Sequence, residues 1–412
     1  MVDNRTFVVV GAGLAGAKAA QTLREEGFDG RLVLIGAEPE RPYERPPLSK
    51  ELLLGKADRE SVHVHEAGWY ADNDVDLRTG TGVCGVDRAH REAVLTDGRR
   101  VRYDALLLAT GAVPRRLPVP GTDLDGILQL RTLSDADRIA EAAVDGAHLV
   151  IVGAGWIGLE VAAAARQRGA AVTVVETADL PLQRVLGDEI AAVFRDLHSD
   201  HGVTFRFGAH TRGFQGTDRV SHVVLADGTA LPADAVLVAV GVRPADGLAR
   251  DAGLRVGNGI AVDRRLRTDD PYIYAAGDVA NVDHPVLGAR VRVEHWANAL
   301  HSGPVAARSM LGREVSYERL PYFYTDQYDL GMEYTGWVAP GADARVVVRG
   351  DLRSREFVAF WMVDGRVAAG MNVNVWDVSE QIQALVRAGF AGRRVDPADL
   401  ADPAVDLAGL AS

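Results

Sequence analysis

Two glycine-rich segments constrain the fold of this chain more than any other feature. The first, Val8–Gly16, reads Val-Val-Val-Gly-Ala-Gly-Leu-Ala-Gly, and the pattern returns in Leu149–Gly158. Each segment combines an apolar run, a turn of the form G-x-G-x-x-G and the start of an alanine-rich helix. Such a turn lets a pyrophosphate approach the backbone and lie on the helix N-terminus. Two copies in this context predict two dinucleotide sites on one chain.

The segments around both fingerprints predict two βαβ units. In the first unit, strands at 7–10 and 32–35 flank a helix at 15–26; in the second, strands at 149–152 and 172–175 flank a helix at 157–168. Strand 235–240 closes the second unit, and the helix at 294–311 is expected to return to the first. The fold class predicted is therefore α/β, with two Rossmann-like dinucleotide-binding domains, one inserted into the other, and a small C-terminal α+β domain.

Composition shifts give the predicted domain boundaries. The proline-punctuated stretch 113–121 cannot continue a regular element and marks the first hinge, and Gly241-Val242-Arg243-Pro244 marks the second. From about Pro321 the pattern becomes β-like, with a hairpin turn at Asp364-Gly365. The expected first nucleotide domain is discontinuous and comprises residues 1–113 and 245–320. The inserted nucleotide domain is expected over residues 114–244, and the C-terminal domain over residues 321–412.

One helix is predicted in the C-terminal domain after its last strand. Asp377 is the expected N-cap, with Glu380 as its capping-box partner. The helix is expected to run to about Ala388, and Gly389 suits the C-terminal cap.

Charge, cysteine content and hydropathy exclude several classes of protein. The net charge of −12 disfavours nucleic acid as the main partner. Cys84 is the single cysteine. A dithiol active site within one chain is therefore excluded, and Cys84 is predicted to be a small strand residue. No apolar run approaches the ~20 residues of a membrane helix, and the N-terminus enters a strand without room for a secretory signal. We expect a soluble, cytoplasmic protein without a metal site.

The first fingerprint is predicted to hold the pyrophosphate of FAD. Its glycines are Gly11, Gly13 and Gly16, and Glu38 follows the second strand at the position where a carboxylate binds a ribose diol. Asp278, on the glycine turn of Ala275-Ala276-Gly277-Asp278-Val279, is suited to accept a hydrogen bond from a ribityl hydroxyl. The alternatives are a ligand-free glycine turn and solvated loop carboxylates.

The second fingerprint is predicted to hold a nicotinamide dinucleotide on Gly153, Gly155 and Gly158. Glu176 ends the following strand, where a carboxylate accepts hydrogen bonds from the adenosine 2′- and 3′-hydroxyls. Because it also repels a 2′-phosphate, NADH is favoured over NADPH. Arg184 is the nearby cation that weakens this argument.

The chain resembles the oxygenase-coupled, NADH-dependent ferredoxin reductases, a family with an FAD/NAD-linked reductase fold. Roughly 370 residues carry the resemblance, from the first strand into the C-terminal domain. Beside the fingerprints, it rests on four segments: Pro42–Lys50 (PYERPPLSK), Leu130–Thr132 (LRT), Val293–Ala299 (VEHWANA) and Pro321–Tyr328 (PYFYTDQY).

The resemblance implies roles for individual residues. Lys50 is expected near flavin N5 and Glu160 as its partner, and these two are the expected catalytic pair. An ammonium there stabilises the negative charge of reduced flavin, and a buried lysine needs a counter-charge. The alternative is a solvated lysine and a helix-surface glutamate. Further FAD contacts are expected at Arg45, Thr110, Gly111, Arg131, Glu294, His295, Trp296 and Tyr324, and further NAD contacts at Ile157, Arg184 and Gly241. For His295 and Trp296 the alternative is helix packing.

Two positions depart from the family pattern. Relatives commonly carry an acidic residue where Ala37 stands, so ribose binding rests on Glu38. Several carry tryptophan where Tyr324 stands; tyrosine still stacks but has different redox properties.

The resemblance implies a function, electron transfer from NADH through FAD to a [2Fe–2S] ferredoxin serving a cytochrome P450 or a ring-hydroxylating oxygenase. An acidic ferredoxin needs a basic docking patch. The candidate cations are Arg290, Arg292, Arg387, Arg393 and Arg394, each of which is alternatively an ordinary solvated arginine. Two alternative functions stay open: reduction of oxygen, quinone, ferric chelate or monodehydroascorbate, or a redox-dependent binding protein similar to apoptosis-inducing factor. The protein is expected to be a monomer or a homodimer.

Overall fold

The computed structural model describes residues 3–411, which form two compact units. Unit 1 comprises the chain up to residue 44 together with residues 60–113 and 243–323. Unit 2 comprises residues 45–59 and 114–242 and the chain from residue 324 onward. Within the described part of the chain, no helix has the length and apolar character needed to span a bilayer.

The strands and helices are numbered here in chain order. The strands of the first half are β1 (Thr6–Val10), β2 (Arg31–Ile35), β3 (Val75–Arg78), β4 (Val83–Asp87), β5 (Glu92–Leu95), β6 (Arg100–Arg102), β7 (Ala105–Leu108), β8 (Ala112–Pro114), β9 (Ile127–Leu128), β10 (His148–Val152), β11 (Ala171–Val175) and β12 (Thr204–Arg206). Those that follow are β13 (Thr211–Gly216), β14 (Val220–Leu225), β15 (Ala230–Pro232), β16 (Ala235–Val238), β17 (Val242–Pro244), β18 (Val256–Gly257), β19 (Gly259–Val262), β20 (Ile273–Ala275), β21 (Ala280–His284), β22 (Ala289–Arg292), β23 (Tyr322–Gln327), β24 (Leu330–Gly336), β25 (Arg345–Asp351), β26 (Glu356–Val363) and β27 (Arg366–Val373). The α-helices are α1 (Leu14–Glu25), α2 (Trp69–Asp72), α3 (Leu133–Ala142), α4 (Trp156–Gln167), α5 (Gln183–Leu186), α6 (Asp188–Asp200), α7 (Gly247–Asp251), α8 (Trp296–Met310), α9 (Ser379–Phe390), α10 (Pro397–Ala401) and α11 (Leu407–Ala411).

Unit 1 is built around a parallel sheet in the order β20-β7-β1-β2-β3. In β1, Phe7 pairs with Leu32 on one side and with Ala105 on the other. The strands are almost continuously apolar because helices cover a parallel sheet on both faces. Helix α8 packs against α1, so the predicted return of the 294–311 helix to the first nucleotide domain is confirmed.

Unit 2 contains a second parallel sheet, in the order β12-β11-β10-β16-β9. Its central strand β10 pairs Leu149 with Val172 and with Ala235. The unit also contains an antiparallel sheet in the order β23-β24-β27-β26-β25, against which α9 packs. Both βαβ units and the C-terminal α+β region therefore have the predicted form. Cys84 lies in β4, as predicted, and is exposed.

Two local predictions are wrong. The capping box of Asp377 and Glu380 does not form, because α9 begins at Ser379 with Val378 as its N-cap residue. Gly389 does not end that helix: it lies inside α9, where a Cβ would be 2.1 Å from the carbonyl oxygen of Val367. A glycine at this position lets the helix approach the sheet closely, and the sequence pattern does not distinguish that use from a cap.

The structure also groups residues 45–59 with unit 2, whereas the sequence prediction has them in the first nucleotide domain. The division into three functional domains stays a prediction.

Candidate active site

The first fingerprint turn has the geometry of a nucleotide cradle. Gly11 has φ +114°, and a Cβ there would be 2.1 Å from the carbonyl oxygen of Ala109. A Cβ on Gly16 would be 2.0 Å from the carbonyl oxygen of Gly11. On Gly13, by contrast, a Cβ would meet nothing within 4 Å among the described residues outside its own neighbourhood. The outer glycines are thus needed for the turn, while the middle one leaves its backbone open to a pyrophosphate.

The second fingerprint repeats this geometry in unit 2. Gly153 has φ +107°, and its Cβ would be 2.5 Å from the carbonyl oxygen of Ala239; a Cβ on Gly158 would be 2.2 Å from the carbonyl oxygen of Gly153. Gly155 again faces open space in the described part of the chain. The two turns therefore fit the same chemical group, a dinucleotide pyrophosphate at the N-terminus of a helix.

Glu176 is fixed at the end of β11, beside the second turn. It accepts hydrogen bonds from the backbone N–H of Ala154 at 2.8 Å, from the backbone N–H of Ala178 at 2.9 Å and from the Thr177 hydroxyl at 3.0 Å. Burial acts to raise the pKa of Glu176, but these donors hold it below its ordinary value. The site therefore presents an ionised carboxylate beside the fingerprint.

Glu38 occupies the corresponding place in unit 1. It follows β2, and the Tyr43 hydroxyl donates a hydrogen bond to its carboxylate. Both predicted ribose-binding carboxylates thus lie just past the strand that follows a fingerprint helix. Sequence spacing predicts this placement because parallel strands end at the same edge of a sheet.

The remaining FAD candidates of unit 1 lie in turns and at a helix start. Thr110 donates its hydroxyl to the carbonyl oxygen of Ala245 at 2.8 Å, and Gly111 accepts a hydrogen bond from the backbone N–H of Ala245. Asp278 lies in a 3₁₀ turn whose Gly277 N–H donates to the Ser302 hydroxyl at 2.9 Å.

The segment from Glu294 to Trp296 leads into α8. Burial lowers the pKa of His295 to about 4, so its ring is neutral at pH 7. The ring lies 4.5 Å from that of Phe323, and Glu294 forms an ion pair with Arg292. Trp296 is the first residue of the helix. A neutral, half-buried histidine that contacts the Phe323 ring suits a packing role better than that of a base.

Arg45 and Arg131 interact with each other in unit 2. Arg45 precedes the 3₁₀ helix Pro46–Ser49 and donates to the carbonyl oxygen of Arg131. The backbone N–H of Arg131 in turn donates to Asp135, the capping-box residue of α3, at 3.0 Å. The structure therefore connects the two motifs that the sequence placed far apart.

The Lys50–Glu160 pair is the most enclosed charged group of unit 2. Lys50 Nζ lies 2.8 Å from Glu160 Oε1, and both side chains are 8% exposed. Glu160 Oε2 accepts the Ser49 hydroxyl at 2.5 Å, and Oε1 accepts the Thr325 hydroxyl at 2.6 Å. The Tyr324 ring lies 5.5 Å from Lys50 Nζ, within the range of a cation–π interaction. The structure thus brings the predicted pair together and adds two hydroxyl donors.

The last NAD candidates lie around the second turn. Ile157 follows it in α4 and is 41% exposed, and Val185 in α5 is 46% exposed. The N–H of Leu182 donates to the carbonyl oxygen of Ala154, which ties the start of α5 to the turn. Both apolar side chains, those of Ile157 and Val185, are exposed. Arg184 lies in α5, and Gly241 accepts a hydrogen bond from the N–H of Arg115.

One docking candidate is wrong. The Arg292 side chain is 8% exposed and forms an ion pair with Glu294, so it does not belong to an exposed basic patch. Arg290 Nη1 donates to two carbonyl oxygens, those of Val262 at 3.0 Å and Asn281 at 2.6 Å. The C-terminal candidates Arg387, Arg393 and Arg394 are exposed.

Sequence reasoning missed the polar side chains that surround Glu160. Ser49 and Thr325 lie within quoted motifs, but neither residue type signals a buried donor. Gln327 and His198 complete the polar cluster and are 1% and 0% exposed. A signal was present for His198, because it shares the apolar stripe of α6 with Phe194 and Leu197.

The fold and the site define a class of protein, the nucleotide-dependent flavoprotein reductases. Its features here are two parallel dinucleotide-binding sheets, two open glycine turns and a C-terminal antiparallel sheet. Residues 5–303 match the pyridine nucleotide-disulphide oxidoreductase family, and residues 322–411 match the reductase C-terminal family. The chain belongs to the pyridine nucleotide-disulphide oxidoreductase family. The fold class and the resemblance predicted from the sequence are confirmed.

Similar proteins carry ferredoxin reductase names. The chain is 40% identical over 370 residues to rhodocoxin reductase of Rhodococcus erythropolis, covering 90% of this chain and 86% of that protein. It is 40% identical over 405 residues to the ferredoxin–NAD(+) reductase component of the anthranilate 1,2-dioxygenase system of Burkholderia cepacia, covering 97% and 98%. The structure matches the covalent putidaredoxin reductase–putidaredoxin complex with a TM-score of 0.93 and 36% identity, covering 99% of this chain and 98% of that chain. The predicted enzyme class, a flavoprotein oxidoreductase that uses FAD and NADH, is confirmed.

Proposed function

We propose that this protein is an NADH:ferredoxin oxidoreductase that passes electrons from NADH through FAD to a [2Fe–2S] ferredoxin serving an oxygenase. The single observation that carries the proposal is the pair of matching glycine turns, each open at its middle glycine and each followed by a carboxylate at a strand end. The relatives named above support the choice of a ferredoxin as the acceptor.

We assign FAD to the first turn and NADH to the second. Gly11, Gly13 and Gly16 hold the FAD pyrophosphate, and Glu38 binds its ribose. When bound, FAD supplies the step from two-electron hydride acceptance to one-electron release. The chain itself supplies binding, orientation and electrostatics.

NADH is the expected reductant because Glu176 is held ionised. Three donors fix its carboxylate, so it accepts hydrogen bonds from both adenosine ribose hydroxyls and repels a 2′-phosphate. Ile157, directly after the turn in α4, is an exposed apolar side chain that the dinucleotide can contact.

Lys50 is the proposed electrostatic partner of the reduced flavin, as the family resemblance implies. Its ammonium is held by Glu160 at 2.8 Å and faces the Tyr324 ring. A fixed positive charge stabilises negative charge that develops during reduction without reorganising at that moment. This role, like the other individual site assignments, is a proposal.

The docking surface for the ferredoxin is proposed to include Arg387, Arg393 and Arg394. These residues are exposed on the C-terminal region, and an acidic iron–sulfur protein requires cations on its partner. A cytoplasmic location and a monomeric or homodimeric state stay predictions from the sequence.

The test is a steady-state assay of NADH oxidation with cytochrome c, with and without added [2Fe–2S] ferredoxins from oxygenase systems. We expect cytochrome c reduction to depend on ferredoxin and to proceed with NADH in preference to NADPH. A ferredoxin-independent rate at least as fast contradicts the proposal and favours another acceptor. Slow flavin reoxidation with every acceptor, coupled to a change of mass on NADH addition, favours the redox-dependent binding protein.

A further inference from the structure

A line of buried polar side chains leads through unit 2 to the Lys50–Glu160 ion pair. His198 Nε2 lies 2.7 Å from Gln327 Oε1, and Gln327 Nε2 lies 3.1 Å from Thr325 Oγ1. Thr325 Oγ1 lies 2.6 Å from Glu160 Oε1, which lies 2.8 Å from Lys50 Nζ. All five residues are at most 8% exposed. Buried polar groups at such distances form a hydrogen-bond network that holds its members in place.

The direction of each hydrogen bond follows from the chemistry of its partners. An ionised Glu160 only accepts, so Thr325 donates its single hydroxyl proton to it. The Thr325 oxygen then accepts from the amide nitrogen of Gln327. The Gln327 carbonyl oxygen therefore faces His198, and a hydrogen bond there requires the proton of the His198 ring on Nε2.

The surroundings of His198 support this direction independently. Its Nδ1 is buried, and within residues 3–411 no hydrogen-bond partner reaches it. A proton on Nδ1 would be a buried donor without an acceptor, which costs more than an unpaired nitrogen lone pair. The rings of Tyr328 and Phe205 enclose the imidazole edge-on, at centroid distances of 5.3 Å and 6.2 Å.

The backbone explains why the C-terminal region supplies the middle of the line. Thr325 and Gln327 are two residues apart in β23, so both side chains point to the same face of the strand. Both lie in the segment that matches the reductase C-terminal family. Glu160 comes from α4, which follows the second fingerprint, and His198 comes from α6.

We propose that Thr325, Gln327 and His198 are positioning residues that fix the Glu160 carboxylate and, through it, the Lys50 ammonium for reduction of the flavin by NADH. The inference rests on the proposed function. Glu160 Oε2 is held by Ser49, and Oε1 is shared by Thr325 and Lys50. A carboxylate held at both oxygens does not rotate, so the ammonium keeps one position.

The first test uses magnetic resonance on the holoprotein and does not depend on turnover. The chain contains 11 histidines, and His198 is assigned by loss of its signal in His198→Phe after ¹⁵N-histidine labelling. We expect a neutral ring with the proton on Nε2 at pH 7. A proton on Nδ1, or a doubly protonated ring, overturns the inferred direction.

The second test observes the ammonium itself. Lysine occurs only at positions 18, 50 and 56, so ¹⁵N-lysine labelling gives three ammonium signals, and Lys50→Arg assigns one of them. We expect the Lys50 signal to shift in Thr325→Val and to keep its wild-type position in Thr325→Ser. An unchanged signal in Thr325→Val overturns the proposal. Thr335→Val, which removes another buried hydroxyl of unit 2, is the matched control.

The third test links the line to function by stopped-flow reduction with NADH in the absence of air. Loss of one hydrogen bond to a charged group corresponds to about a 10-fold slower limiting rate of flavin bleaching in Thr325→Val. Thr325→Ser and Thr335→Val are expected to stay within about 2-fold of wild type. A wild-type rate in Thr325→Val contradicts the inference. Wild-type protein that NADH does not bleach contradicts the proposed function instead, while the two resonance experiments still decide on the hydrogen-bond line.

Discussion

The buried ion pair of Lys50 and Glu160 predicts an asymmetric response to removal of either partner. Both side chains are 8% exposed, and replacing each by methionine keeps a long, unbranched side chain. Glu160→Met leaves the Lys50 ammonium buried, with the Tyr324 ring 5.5 Å away and the Asp326 carboxylate as its electrostatic partners in unit 2. Lys50→Met leaves the Glu160 carboxylate with two hydroxyl donors, Ser49 and Thr325.

The magnitudes follow from these partners. Removing one member of a buried pair costs about 3–5 kcal/mol, because the other charge is left uncompensated. We therefore expect Glu160→Met to lower the free energy of unfolding by about 4 kcal/mol. Hydrogen bonds to a charged group contribute roughly 1.5–3 kcal/mol each, so the two donors offset part of the loss and Lys50→Met costs about 2 kcal/mol.

The assay is urea unfolding of the holoprotein in excess FAD, followed by far-ultraviolet circular dichroism, for wild type, both single variants and the double variant. The double variant removes both charges but takes the acceptor away from the buried Ser49 and Thr325 hydroxyls, so we expect it to cost about 3 kcal/mol, well below the sum of the single costs. The slope of free energy against urea should not change. A Lys50→Met cost equal to that of Glu160→Met refutes the reasoning, as does additivity within about 0.5 kcal/mol.

Three further predictions concern the turns, the nicotinamide site and pH. Gly13→Ala should keep wild-type thermal stability in its flavin-free form and lose FAD affinity by at least ~10-fold, because its Cβ enters the open side of the turn. Gly11→Ala should instead lower the free energy of unfolding by more than ~1 kcal/mol, since φ is +114° at Gly11. Calorimetry measures the stability of both variants and flavin titration measures their FAD affinity. Equal stabilities of Gly11→Ala and Gly13→Ala would contradict the prediction. Glu176→Gln should reduce kcat/KM for NADH by about 10-fold and narrow its preference over NADPH, because the amide has lost the charge that repels a 2′-phosphate; an unchanged ratio of the two rates argues against the assignment. Burial lowers the pKa of His198 to about 4, so as the pH falls the unfolded chain binds a proton at His198 before the folded chain does. The free energy of unfolding therefore falls as pH drops from 6.5 toward 4. In urea titrations, His198→Phe should reduce the slope of this free energy against pH by up to ~1.4 kcal/mol per pH unit, and an unaltered slope would contradict the argument.

The sequence by itself determined the two nucleotide-binding units. Strands, glycine turns and fingerprint helices are local features, since they depend on apolar runs and on backbone conformations that glycine tolerates. The bounds of β1 and β10 differ from the predicted strands by one residue at their N-terminal ends. The resemblance also anticipated the contact between Lys50 and Glu160, which the spacing along the chain does not imply.

Local signals misled where one residue type serves two purposes. Gly389 suits a helix end in the sequence, but tertiary packing uses its missing Cβ to bring α9 against Val367. Arg292 is a cation, as a docking residue for an acidic partner must be, but its side chain forms an ion pair with Glu294. The sequence shows that a residue is charged, but not whether its side chain is solvated or paired with another side chain.

Tertiary structure alone decided what surrounds the charged pair. Thr325 and Gln327 are polar residues at alternating positions of a strand, a pattern that fits a solvent-exposed face equally well. His198 lies on a helix more than a hundred residues away in sequence. Only in the folded unit 2 do Thr325 and Gln327 of β23 contact Glu160 of α4 and His198 of α6, and all four residues are buried there. Without water, each donor must find an acceptor in the protein. Hydrogen-bond direction is therefore a property of the folded unit, whereas the nucleotide turns are already encoded in a few consecutive residues.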